Sequence, residues 1–88
     1  MPKQRQNIKV TIRLFAIYRE RLGTKQVVIS MPSPATVTNS LTELTRLHPK
    51  LAPLVEPTMV AVNQEYASGE YELQDGDEMA LIPPVSGG

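Results

Sequence analysis

The 88-residue chain contains no cysteine. Disulfides, thiolate metal sites and cysteine nucleophiles are therefore excluded, and the composition fits a compartment that keeps thiols reduced. No apolar run approaches the roughly 20 residues needed to cross a membrane. The opening MPKQRQNIK is basic but has no apolar core, so it does not read as a signal peptide. The expectation is a soluble, cytoplasmic protein without a membrane partner. No G-x-x-x-x-G-K-[ST] or G-x-G-x-x-G occurs, so the chain brings no phosphate cradle of its own. Net formal charge is zero, which argues against a generally basic nucleic-acid binder. What is present is a 41% apolar content, enough for one small core without a disulfide or structural metal.

The charges are unevenly distributed. Residues 1–25 carry seven basic side chains (Lys3, Arg5, Lys9, Arg13, Arg19, Arg21, Lys25) and one acid, Glu20. Residues 56–88 carry seven acids (Glu56, Glu65, Glu70, Glu72, Asp75, Asp77, Glu78) and no base. Two readings follow: the halves neutralise each other on folding, or the acidic half, which also holds the terminal carboxylate, is steered toward a basic partner. Arg19 and Arg21 read as solvated, with docking contacts as the other possibility.

Residues 1–7 read as a loose arm. IKVTIRLF alternates, with Ile8, Val10, Ile12 and Leu14 on one face, and so predicts a half-buried strand. AIYRERLG predicts a short helical turn closed by Gly23. KQVVISM predicts a second strand, with Val27, Ile29 and Met31 inward, and PSPAT reads as a breaker. Thr36 is placed to cap a helix carrying Val37, Leu41, Leu44 and His48 on one side, with Leu47 beside them, until Pro49 stops it. LAPLVEP reads as an irregular crossing. TMVAVN predicts a strand buried on both faces, QEYASGEYELQ short extended or turn pieces, and DGD a tight turn into a last strand, EMALI. This order predicts an α+β, ubiquitin-like β-grasp domain over 8–84: a mixed four- to five-stranded sheet crossed by one main helix.

An ordinary active site is missing. His48, the one histidine, falls in the last helical turn, where a cation favours the helix C-terminus. DGDE lacks the further ligands of a calcium loop and reads as hairpin chemistry. Tyr66 and Tyr71 have no basic interleaving and do not make a stacking platform for nucleic acid.

The C-terminal LIPPVSGG remains. Pro83 and Pro84 cannot donate to a sheet, so the last strand ends there and the chain leaves in an extended course. Val85 and Ser86 are small, and Gly87 and Gly88 lack a Cβ, so 85–88 form a tail able to thread a narrow channel. The reactive group at its end is the Gly88 carboxylate, which an ATP-using partner can activate as an acyl-adenylate.

LFAIYRERLGT, VAVNQEY and LQDGDEMALIPPVSGG resemble the sulfur-carrier small subunits of molybdopterin synthases, the MoaD type of the MoaD/ThiS-like ubiquitin-related family. The resemblance implies a β-grasp fold. It also implies a carrier that is no enzyme on its own and binds no cofactor; ATP is used by the adenylating enzyme. It further implies that Gly88 is the essential terminus, converted to a thiocarboxylate that gives its sulfur to a pterin precursor in the large subunit. Gly87 pairs with Gly88, and Pro83, Pro84, Val85 and Ser86 line the inserted segment. Ile82, Tyr66 and Leu81 are implied to pack against the partner, although Ile82 and Tyr66 could equally be core, and Leu81 and Ile82 stand where many relatives carry aromatics. The implied synthase is a heterotetramer of two small and two large subunits. The other readings are a carrier for thiamin or cysteine synthesis, a ubiquitin-like modifier joined to lysines through Gly88, or a passive module with an idle tail.

Overall fold

The computed structural model describes residues 7–55 and 59–82. The arm up to residue 6 and the tail positions Pro83, Pro84, Val85, Ser86, Gly87 and Gly88 lie outside the described residues.

Strand β1 (Asn7–Leu14) buries every second residue, as its period-two pattern requires. It begins at Asn7, so the last residue of the expected arm is already strand, paired with Pro32. Helix α1 (Ala16–Leu22) ends on Gly23, whose φ of 80° is the left-handed cap that only glycine adopts without strain. Tyr18 buries its ring in the core and donates its hydroxyl to the Leu54 carbonyl at 3.0 Å. Strand β2 (Gln26–Pro32) returns antiparallel to β1, with Ile29 and Met31 in the core and Val27 half-buried.

PSPAT is more than a breaker: Ala35–Thr36 form a short strand, β3, which pairs with β6 (Glu72–Leu73). Two residues are too few to show a period, and their partner lies far along the chain. Thr36 then caps α2 (Val37–Leu47): its hydroxyl accepts from the Asn39 N–H at 3.2 Å while Asn39 Oδ1 accepts from the Thr36 N–H at 2.9 Å. Val37 and Leu44 are buried and Leu41 half-buried as expected, but Leu47 is exposed. Leu51 fills that part of the core instead. It comes from the segment expected to be irregular, which is a 3-10 turn (Pro49–Leu51) followed by helix α3 (Ala52–Val55).

Strand β4 (Met59–Val62) buries Val60, Ala61 and Val62, as a central strand should, while Met59 at its start is exposed. A two-residue loop with Asn63 at φ 50° and Gln64 at φ 75° turns it into β5 (Glu65–Tyr66). Two successive positive φ values give a type I′ hairpin, which Asn favours at its first position. Strand β7 (Glu78–Ile82) closes the main sheet in the order β2-β1-β7-β4-β5, parallel to β1 and antiparallel to β4. Five mixed strands with α2 sharing their core make a β-grasp fold, as the element order predicted. Among the described residues, no helix is long and apolar enough to cross a membrane.

Candidate docking site where the chain leaves β7

β7 is the base of the site, because this strand carries the chain through the middle of the sheet. Its entry is a turn over Gln74–Asp77, closed by Asp77 N–H donating to the Gln74 carbonyl at 3.0 Å, with Gly76 at φ 88°. Asp75 Oδ1 accepts from the Lys9 N–H at 2.8 Å, and Gly76 N–H donates to the Lys9 carbonyl at 2.8 Å. Asp77 is buried and accepts from Gln74 N–H (2.8 Å) and Asn63 Nδ2 (3.0 Å). Both aspartates are held by donors of the protein itself, so DGDE acts as turn chemistry rather than as a cation loop.

From this anchored entry, β7 alternates half-buried and buried residues. Met79 and Leu81 point into the core and are both fully buried. Leu81, expected at the partner interface, therefore cannot reach a partner from the folded chain. It is a core residue, because its parity in β7 is that of Met79. Glu78, Ala80 and Ile82 take the other parity and face away from the core.

Register decides what accompanies them. Ile82 pairs with Met59, and Ala80 pairs with both Ala61 of β4 and Arg13 of β1. Ala61 in turn pairs with Tyr66, so Tyr66 and Ile82 lie on the same open face, in neighbouring rows of the sheet. Tyr66 is 70% exposed and is not core; Ile82 is half-buried. Their sequence separation hides the adjacency, which the β4–β7 pairing creates.

Two apolar residues at this end were not singled out from the sequence. Met59 is 54% exposed beside Ile82, and Phe15, 42% exposed, follows β1 directly, where the Arg13 guanidinium lies 5.9 Å from its ring centroid. Phe15 could have been found by carrying the β1 alternation one step further, which gives it the outward parity of Arg13. Met59 has no such signal, because an unbroken apolar run does not tell which end protrudes. The open face near the exit is thus apolar, an exposed patch of the kind that marks interaction surfaces.

Among the described residues, little else is assembled. His48 sits at the C-cap of α2, its N–H donating to the Leu44 carbonyl at 2.8 Å. A cleft of about 260 Å³ between β4, β5 and α2 is lined by Val37, Leu41, Met59, Val60, Tyr66, Ala67 and Gly69, without a carboxylate, lysine or histidine. The first of the two charge readings is met only locally. Arg13 and Glu78, neighbours across the β1–β7 pair, form an exposed ion pair at 3.5 Å. It is the one salt bridge between the basic and acidic segments among the described residues.

Comparison with known proteins fits this arrangement. A model described as the ThiS family matches residues 12–88. The chain is 38% identical over 80 residues to the molybdopterin synthase sulfur carrier subunit of Dictyostelium discoideum, spanning 88% of this chain and 93% of that one. It is 35% identical over 82 residues to the protein of the same name from Arabidopsis thaliana, spanning 93% and 85%. Among solved structures, that of SAMP1 from Haloferax volcanii superposes with a TM-score of 0.84 at 34% identity, covering 91% of this chain and 99% of that one.

Proposed function

The chain belongs to the ThiS family, and from that premise we propose that it is the sulfur carrier subunit of a molybdopterin synthase, working with a larger partner subunit. The observation that carries the reading is the placement of β7. A strand paired on both sides and anchored at its entry by Asp77 ends at Ile82, beside an open apolar face. The residues that follow in the sequence are Pro83, Pro84, Val85, Ser86, Gly87 and Gly88. Such a strand is a rigid base, and the prolines cannot extend it.

The chemistry resides in the Gly88 carboxylate. An adenylating enzyme joins it to the AMP part of ATP with release of pyrophosphate. The outer sulfur of a persulfide donor then attacks the acyl carbon and displaces AMP, giving an acyl disulfide. A second thiol attacks the donor's sulfur, forms a disulfide with it and releases the thiocarboxylate. That group, threaded into the large subunit behind Pro83–Ser86 and Gly87, delivers its sulfur to the pterin precursor. The chain binds no cofactor in this cycle and is not a catalyst by itself: its part is to present one carbonyl carbon with no side chain to obstruct it. Tyr66, Ile82, Met59 and Phe15 form the apolar contact that seats the carrier.

The decisive measurement is the intact mass of the full chain after incubation with its adenylating enzyme, ATP and a sulfur donor. A gain equal to exchange of one oxygen for sulfur, located at Gly88 and abolished by deleting Gly87–Gly88, is the expected result. An unchanged mass, under conditions that convert a known carrier, sinks the proposal. The likeness to SAMP1, a protein named as a modifier, gives the rival outcome a definite form: isopeptide adducts of Gly88 with lysines of other proteins.

A further inference from the structure

The fold reverses the electrostatics that the linear sequence suggests. In the sequence, the acids and the tail share residues 56–88, so in linear order the tail follows the acidic part of the protein. In the structure, β7 parts them. Asp75, Asp77 and Glu78 lie at its entry. Glu65 is at that end too, because Val62, its partner across the hairpin, pairs with Met79. Glu70 is not among them: Ala67 N–H donates to the Val60 carbonyl, so the chain after β5 has run back toward Met59 before the turn from Ser68 to Tyr71 that holds Glu70.

The exit end carries the opposite charge. β1 runs parallel to β7, with Leu14 beside Leu81, so everything just after β1 lies at the exit. Arg19 and Arg21 project from α1, and Lys25 precedes β2, its carbonyl accepting from Leu14 N–H at 2.8 Å. Lys50 lies in the 3-10 turn packed against α1. All four are exposed, and none is in an ion pair among the described residues. Glu20 is the acid beside them, Arg46 is neutralised by Glu43, and Glu56 lies outside the described residues.

Distance decides which charge an approaching surface meets. From Glu78 to Ile82 a strand spans about 13 Å. The Debye length at physiological salt is about 8 Å, so the acids at the entry are largely screened from the exit. We propose that the exit end docks onto an acidic protein surface: an apolar spot that receives Phe15 and Met59, bordered by aspartate and glutamate side chains that face Arg19, Arg21, Lys25 and Lys50. The inference rests on the carrier reading for the identity of that partner, the large synthase subunit. It assigns the sign of the charge around the mouth through which the tail enters.

The test is stopped-flow association of the full chain with the large molybdopterin synthase subunit of the same organism. It compares wild type with Arg19→Glu/Arg21→Glu, with Lys50→Glu on a different element, and with Glu65→Lys at the acidic end. At about 50 mM salt, the α1 double reversal should slow association by about tenfold and Lys50→Glu by a smaller factor, both converging on wild type near 300 mM. The acidic-end variant should associate as wild type or faster. Slower association of that variant, with no change in the other two, overturns the inference and restores the sign read from the sequence. Wild-type rates in all three variants overturn it as well. Loss of binding to a single-stranded RNA 20-mer on α1 reversal, with subunit association unchanged, assigns the cations to a polyanion instead. Failure of the carrier reading looks different: the wild-type chain neither binds the subunit nor gains sulfur at Gly88.

Discussion

Asp77 accepts a hydrogen bond from the side-chain amide of Asn63 at 3.0 Å, and this contact ties the turn that enters β7 to the turn that leaves β4. The tie is doubled by the backbone: Asn63 N–H donates to the Glu78 carbonyl at 2.8 Å, and Glu78 N–H donates to Asn63 Oδ1 at 3.1 Å. Asp77 is 8% exposed, and removing its carboxylate deletes two charge-assisted, part-buried hydrogen bonds, from the Gln74 N–H and the Asn63 amide. Asp77→Ala should therefore cost about 1–3 kcal/mol. Urea unfolding checks it, with the midpoint falling and the slope unchanged. Asn63→Gly should cost less than Asn63→Ala, because glycine keeps the positive φ at which Asn63 sits.

Tyr18 makes stability depend on pH at the alkaline end. Burial raises its phenol pKa above the ordinary value of 10.0. The unfolded chain therefore loses this proton at a lower pH than the native protein does. Stability from Tyr18 is fully present below about pH 10 and is lost as pH climbs toward the raised native value. Tyr18→Phe should remove that alkaline slope. It should also lower stability at neutral pH by about 1 kcal/mol, since the bond to the Leu54 carbonyl goes with the hydroxyl. Thermal melts of both proteins from pH 8 to 11 test the sign.

Gly69 is fixed by a close approach rather than by its backbone angle. A Cβ built there would collide with Thr38 Oγ1, while the Thr38 N–H donates to the Gly69 carbonyl at 3.0 Å. The β-branched threonine has few rotamers with which to give way. Gly69→Ala should lower stability by about 1–2 kcal/mol, and Thr38→Ala in the same chain should restore most of it. Additive losses in the double variant would show that the collision is relieved elsewhere.

Tyr66 and Leu81 should separate binding from folding. Tyr66 is open to solvent, so Tyr66→Ala should change stability by less than about 0.5 kcal/mol. Its effect should fall on partner affinity instead, by about 2 kcal/mol if it anchors the contact. Leu81→Ala should do the reverse, costing about 2–5 kcal/mol of stability from a fully buried site. Calorimetric titration with the large subunit and denaturant unfolding of both variants provide the comparison.

Much of this architecture was legible in short windows. The alternation from Ile8 to Leu14, the glycine closing α1, the threonine capping α2 and the turn at Gly76 each express a preference that a few neighbouring residues satisfy among themselves. The hidden parts were elements with a remote partner or a weak local preference. Two-residue β3 exists only because β6 lies beside it, and the segment read as irregular is helical where Leu51 and Val55 fill the core.

The site divides along the same line. The composition of LIPPVSGG and the absence of any other reactive constellation are properties of the chain as written, and they alone directed attention to Gly88. That Leu81 is inside and Tyr66 outside, and that Tyr66 shares a face with Ile82, depended on strand register, which couples residues with no neighbourly relation in sequence. The charge around the exit belongs to the fold for the same reason. A parallel pairing of the first and last strands brings the end of β7 to the cations that follow β1 and leaves its own acidic neighbours at the other end of the strand.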